Sequence, residues 1–322
     1  MTVNKTQKIL TGLVVIQIIL AALVFYLGRP KTTSNDPLIK SVSIDDISSV
    51  QISDKENNQV TIEMVDGNWV LVNSGNFPVI SENVTKLVDD LANIHTGRLV
   101  TNTSASHQRL EVDAENYQRK VDVKTTNGDF TLFIGSSPAQ SNVHVRLSGQ
   151  DAVYLTNAIS TTTASALVSN WIDTSYIKIE SNNVKEIQIT TANENLQFQL
   201  NEAGEWNCLQ LSANEKLDIS NWTTYLTAFT NLRMVSPVST TMDESYGFSS
   251  PLAKLTIKYT ENEQEKTGEL LIGKKDETDS NYYAKWSLSP YVVKLASFNA
   301  ERITNITKTE LISVPATETA AP

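Results

Sequence analysis

The first long run of apolar positions, residues 9–27 (ILTGLVVIQIILAALVFYL), carries no charge and only Thr11 and Gln17 as distinctly polar side chains. A helix of that length runs about 28 Å, close to the roughly 30 Å hydrocarbon core of a bilayer. Tyr26 falls where an interfacial aromatic belongs, and Lys5, Lys8, Arg29 and Lys31 flank the run as headgroup anchors. The pattern predicts a transmembrane helix over 9–28 behind a cytoplasmic tail of 1–8. A cleaved signal usually has an apolar core of only about 7 to 15 residues and ends at small residues. Here Leu-Gly-Arg-Pro follows, so the segment reads as an uncleaved anchor.

After the apolar run the pattern changes. Residues 29–44 mix Pro, Ser, Thr, Asn and charge without periodicity, which predicts a linker lifting the rest of the chain off the membrane. Residues 313–322 read as a frayed tail.

Between them the pattern repeats. Val50-Gln51-Ile52 returns as Ile187-Gln188-Ile189, and Gly67-x-Trp69 as Gly204-x-Trp206, both at an offset of 187 − 50 = 137. Val84, Leu87, Val88, Leu91 and Ile94 hold the spacing of one helical face. Trp222, Tyr225, Leu226, Phe229 and Leu232 hold it again, with Ser81 and Asp218 as capping candidates near the two starts. Ile134-Gly135 then answers Ile272-Gly273, and Val153 with Leu155 answers Val293 with Leu295. The chain therefore reads as two tandem α+β repeats, 45–176 and 177–312. Each is a mostly antiparallel sheet with packed helices and a short closing helix. Alternating strands are expected at 121–124, 130–134, 143–147 and 152–156, and again at 254–259, 269–272, 282–286 and 291–295.

Charge narrows the partners. The 322 residues carry 26 Lys and Arg against 36 Asp and Glu, a net −10. Such a chain repels phosphate backbones, which excludes nucleic acid as a partner. Setting aside Lys5 and Lys8 leaves 24 basic residues against 36 acidic, a net −12 beyond the anchor. An acidic body after a short tail points to an N-inside, C-outside orientation. The single cysteine, Cys208, rules out an internal disulfide framework, and three histidines leave metal chemistry thin, so no cofactor is expected.

Catalytic motifs fail on spacing. Ser175-x-x-Lys178, Ser181-Asn182-Asn183 and Lys266-Thr267-Gly268 imitate the order of the penicillin-binding serine enzymes. Ser175 to Glu180 alternates as a strand, however, which puts Ser175 and Lys178 on opposite faces. Asp276, Glu277, Asp279 and Asn281 lack the glycine and bidentate glutamate of a calcium loop. His95 ends a helix, and His144, on an alternating strand, is expected to point outward. Trp69 and Trp206, placed alike in both repeats, read as core residues, and Trp171 as packing beneath the last helix of its repeat. The nearest thing to a polar cluster is His107, Arg109, Asp113 and Glu115, where the first repeat departs from the second.

Several of these features together resemble a bacterial family, the domain of unknown function 4340. They are the Gly-x-Trp turn, the amphipathic helix, Tyr246-Gly247-Phe248 with Pro251, Ile272-Gly273 and Tyr282-Tyr283-Ala284-Lys285. The first repeat shows the same frame with Ile134-Gly135, Val143 to Arg146, Val153-Tyr154-Leu155 and Trp171-Ile172-Asp173, although Gln108-Arg109-Leu110 replaces the Tyr-Gly pattern. The resemblance implies a membrane-anchored, extracytoplasmic protein associated with ABC-transporter components of gliding-motility type. It carries over no catalytic residue. Two functions follow as expectations. One is a non-enzymatic binding or scaffold protein of the envelope, held in the bilayer by 9–28 and joined to a protein partner. The alternative is an envelope hydrolase or ligand-binding protein with a site between the repeats.

Overall fold

The computed structural model describes residues 14–20, 35–40 and 42–313. Residues 14–20 form a short helix whose apolar side chains are uncovered, from 49% exposed at Val15 to 62% at Ile18. Among the described residues no helix is long and apolar enough to cross a membrane. The rest of the expected span, and the tail beyond Ser313, lie outside the described residues.

The folded body is α+β and largely antiparallel. Its first sheet holds β1 (Ile47–Asp54), β2 (Gln59–Val65), β3 (Asn68–Leu71), β4 (Phe77–Pro78), β5 (Leu99–Asn102), β6 (Arg119–Thr125), β7 (Phe130–Ile134), β8 (Val143–Leu147) and β9 (Ala152–Thr156). Their order is β4-β3-β2-β1-β6-β7-β8-β9-β5. The second half holds β10 (Ser175–Lys178), β11 (Val184–Thr191), β12 (Asn195–Leu200), β13 (Trp206–Cys208), β14 (Lys216–Leu217), β15 (Asn231–Arg233) and β16 (Ser236–Ser239). It continues with β17 (Ala253–Glu261), β18 (Gln264–Lys275), β19 (Tyr282–Trp286), β20 (Val292–Leu295) and β21 (Ile312–Ser313). The second sheet runs β13-β12-β11-β17-β18-β19-β20-β16, the order of the first without its β4 edge.

The correspondence extends to register. Val50 faces Ile62 and Val123 across its two neighbours, as Ile187 faces Phe198 and Ile257. Irregularities recur at matching places, between Ile47 and Ser49 and between Val184 and Glu186. Another matched pair lies on the edge strands, between Leu99 and Thr101 and between Pro237 and Ser239. The match of Val153 and Leu155 to Val293 and Leu295 is corrected by one residue. Val145 pairs with Tyr154, whereas its counterpart Ala284 pairs with Val293. Val293 and Leu295 belong to the main core while Val153 lies in a separate small cluster. A one-residue slip moves a whole strand to the other face.

Periodicity forms the helices as the spacing predicts. In α1 (Ser81–Ala92), Val84, Leu87, Val88 and Leu91 are buried; in α2 (Ile219–Thr230), Trp222, Leu226 and Phe229 are. Asp218 caps α2 by accepting from the Ser220 and Asn221 N–H groups. Ser81 does not cap α1: the capping position is Ile80, whose N–H donates to Trp171 O at 2.7 Å. A closing helix forms only in the second half, as α3 (Ser297–Thr304). In the first half Ser160 and Thr163 bond each other's backbone, an alternative to helix that short hydroxyl side chains offer. Trp171 is buried there beneath a 3-10 turn, its indole N–H donating to Ser165 O at 2.8 Å.

The halves share one hydrophobic cluster. Tyr176 binds β10 to the rest of the second half, donating to Tyr291 O at 2.8 Å and accepting from the Trp286 N–H at 2.7 Å, and burial pushes its phenol up to about 12. Phe77 meets Tyr291 with ring centres 4.6 Å apart. Part of the segment read as linker also belongs to this body: Leu38 and Ile39 are buried, and the Leu38 N–H donates to Ile94 O at 2.7 Å.

Candidate functional site

The outer face of the first sheet gathers the titratable groups. On β8 the alternation is as expected: Val143 and Val145 enter the main core, and His144 and Arg146 take the opposite face. That face is not open. His144 and Arg146 are each only 6% exposed, so the outward, solvated placement expected for His144 is corrected. The reason is a segment between β5 and β6, residues 103–118, that crosses the strands and closes over them.

Four kinds of contact hold this cover. Leu110, Val112, Phe133 and Val153 make a small second core, with Tyr117 packed against it. The Ser136 N–H donates to Leu110 O at 3.0 Å. The Arg146 Nε donates to Val112 O at 2.7 Å, and its guanidinium lies 4.7 Å from the centre of the Phe133 ring. The fourth is close approach: a Cβ on Gly135 would collide with Leu110 O and meet Glu111 O at 2.6 Å.

The second half repeats the device. A Cβ on Gly273 would collide with Tyr246 O and meet Phe248 at 3.0 Å. Gly247 follows Tyr246 in the left-handed region at φ 81°, and Glu111 follows Leu110 at φ 56°. The first half thus keeps the backbone of the Tyr-Gly pattern with a non-glycine residue in it. Lys285 stands where Arg146 does. Each donates to the carbonyl one residue on, Arg146 to Leu147 O at 3.3 Å and Lys285 to Trp286 O at 3.0 Å. Each also reaches the carbonyl four residues on, Gln150 O at 3.1 Å and Ser289 O respectively.

Three of the four residues proposed as a polar cluster converge on this face. His107 is buried with Nε2 2.9 Å from Asp151 O. Burial lowers the Arg146 guanidinium from its ordinary value, and the charges of Asp113 and Asp151 act against that effect. Burial holds His144 below the ordinary imidazole range, and the charge of exposed Arg109 adds to the effect. Glu115 stays exposed and contributes only its N–H to Asp113 Oδ1 at 3.1 Å. Sequence reasoning missed the two residues around which these gather, His144 and Arg146, together with Ser136.

Ser136 and His144 form the nearest approach to a nucleophile and base, with Oγ 3.1 Å from Nδ1. A hydroxyl has one proton, and that of Ser136 is donated to Leu110 O at 3.1 Å. Oγ then accepts from Nδ1–H, the reverse of the direction that activates a serine. Chemically the pair is a strut between cover and sheet. Beside it lies an open cavity of about 440 Å³ lined by Glu111, Gln118, Ser136, Ser137, Ser141 and Thr161 among others.

The acidic loop of the second half is likewise occupied from within. Lys294 Nζ lies 2.7 Å from both Asp276 and Asp279 carboxylates, and the Tyr283 hydroxyl donates to Asp276 at 2.5 Å. These bonds hold Asp276 far below the usual carboxylate range and push Tyr283 up to about 12. Among the described residues no group of three His, Cys, Asp or Glu is placed to hold a metal ion. Trp69 is buried; Trp206 is half-buried and packs edge-on against Trp222 with ring centres 5.2 Å apart, as expected of core residues.

The first covered face and the segment that covers the second lie within a single family match. The model described as "Domain of unknown function (DUF4340)" matches residues 69–251, more than half of the chain. The protein belongs to that family. The match begins on β3 of the first half and ends just past the second cover. No curated protein and no solved structure matches the chain.

Proposed function

We propose that this protein is a membrane-tethered, extracytoplasmic binding or scaffold protein of a bacterial envelope, built from two tandem copies of one α+β module and accessory to an ABC transport system. The tether is supported by the uncharged run 9–27 and by the uncovered apolar side chains of residues 14–20, since exposed apolar surface of that kind marks contact with a membrane or another protein. Common strand order, matched irregularities and the paired glycines under the two covers support duplication.

The observation that carries the binding reading is how the buried polar groups are employed. Arg146, Ser136 and His144 bond the first cover's backbone or one another, and Lys285 is taken up by the carbonyls of its own hairpin. The face left for a partner is the rest of the second sheet's outer side. There Glu186 pairs with Lys258 and bonds Gln197, and Lys254 pairs with Glu269. Such a flat, charged and amide-rich surface suits a hydrophilic protein partner rather than a small apolar ligand.

Crosslinking in native membranes, followed by detergent purification, is expected to recover membrane transport components with this chain. Recovery of the chain alone would overturn the accessory role. Protease added to intact cells should digest the body; full protection would overturn the orientation.

A further inference from the structure

The tether is short, and the place where it joins the body is well defined. Only residues 29–34 separate the expected end of the span from Asn35. From Asn35 onward the chain is fixed: Asn35 packs against Gly97, with its side-chain carbon 3.2 Å from where a Cβ would stand there. The Thr96 N–H donates to Asp36 O at 2.9 Å, and Leu38 and Ile39 are 8% and 6% exposed.

Seven residue steps from Gly28 to Asn35 reach at most about 25 Å, and a relaxed chain of that length spans roughly 15 Å. A body of this size has a radius of gyration of roughly 18 Å and is some 45 Å across. The tether is thus shorter than the body it holds. Whatever surrounds Asn35 is kept within about 25 Å of the bilayer.

What surrounds it includes exposed apolar side chains. Arg98 follows Gly97 directly and Leu99 and Val100 open β5, an edge strand with no neighbour on its outer side among the described residues. Arg98 is exposed, with its guanidinium near the Asn142 side chain at 2.8 Å. Leu99 and Val100 are 43% and 42% exposed, two consecutive apolar side chains on an open edge. Native edges normally carry charge, proline or a bulge against unwanted pairing, and β5 has a charge beside it in Arg98 and an irregularity between Leu99 and Thr101. Here the apolar pair lies beside the point where the chain leaves for the membrane.

We propose that residues 98–100 are the surface on which the body rests on the bilayer. Leu99 and Val100 enter the interfacial layer, and Arg98 meets lipid phosphate oxygens. The inference rests on the anchored reading above and adds to it a fixed orientation, with β5 toward the membrane.

The test uses the full chain in vesicles of phosphatidylcholine and phosphatidylglycerol in equal parts. A polarity-sensitive fluorophore is placed at Val100→Cys and, separately, at Leu209→Cys, Leu288→Cys and Phe298→Cys, exposed apolar positions of the second half. Cys208 is 2% exposed and burial raises its thiol pKa, so it stays unlabelled in the folded protein. The Val100 probe is expected to be blue-shifted and quenched severalfold more by spin-labelled lipid than the other three, and Leu99→Ser in the same background should weaken that quenching. Equal quenching at all four sites, in protein that withstands an alkaline carbonate wash, would overturn the docking while leaving the anchor intact. Loss of the protein in that wash would overturn both.

Discussion

Gly135→Ala isolates the close approach between cover and sheet. The added methyl would collide with Leu110 O, and it would stand 2.6 Å from Glu111 O and 2.7 Å from the Val112 side chain. Ordinary carbon contacts begin near 3.4 Å, so the cover must rise by about 0.8 Å or more against backbone atoms that cannot rotate away. Overpacking of a tight site costs about 1–3 kcal/mol. The rise also stretches the bonds from Ser136 to Leu110 O and from Arg146 to Val112 O, each worth about 1 kcal/mol. Complete release is worse, because it would expose Leu110, Val112, Phe133 and Val153, at roughly 1.5–3 kcal/mol for each large side chain. The molecule therefore keeps the cover and bears the strain, at a cost of about 3 kcal/mol.

For a body of this length that loss lowers the melting temperature by roughly 6–12 °C, read by circular dichroism on detergent-solubilised protein. Gly149→Ala is the control, since its methyl enters open space and meets only the cost of φ 77°, about 1 kcal/mol. A Gly135→Ala loss no larger than that of Gly149→Ala would refute the reasoning.

The remaining predictions concern the groups that hold the first cover and β10. Arg146→Met removes a buried guanidinium and leaves Val112 O and Gln150 O without their donors, for a loss of about 2–4 kcal/mol in urea unfolding. His144 has a folded pKa below its ordinary 6.5, so the unfolded chain takes up a proton that the fold refuses. Stability is thus intact above that value and falls as pH drops through it; His144→Gln should flatten the slope between about pH 7 and pH 5, and an unchanged slope would count against the buried neutral imidazole. Tyr176→Phe leaves the Trp286 N–H and Tyr291 O without their partner, and should cost about 1–3 kcal/mol in the same denaturation assay.

The strands were legible because period two is a local property of the chain. Residues 130–134, 143–147 and 152–156 are strands as the pattern predicts, and 282–286 is another. Which face of a strand meets water is not local. The alternation at Val143 to Leu147 correctly separates His144 and Arg146 from the core, but their burial is set by a polar segment about 30 residues earlier in the chain. Residues 103–118 contain few apolar positions, so no amphipathic period announces that they will cover anything. The same limit explains the one-residue error at Val153. Matching by residue type aligned valine with valine, whereas the hairpin before β19 is one residue longer than that before β8, and the pairings decide the true match.

One signal of the cover was nevertheless present in the chain. Ile134-Gly135 and Ile272-Gly273 answer each other in the two halves, and a glycine at the same place in both calls for a reason in backbone geometry. Neither Gly135 nor Gly273 has the positive φ that would make it a turn residue. The remaining reason for glycine in or beside a strand is the close approach of another backbone. That inference predicts a covering segment over each sheet without naming it. The naming comes from the difference between the halves: Tyr246-Gly247-Phe248 and Leu110-Glu111-Val112 look unlike, but they place the equivalent carbonyl over the equivalent glycine and a left-handed residue after it. What the two halves preserve is therefore a backbone contact. Sequence comparison sees it as conserved glycine on one side and as unrelated side chains on the other.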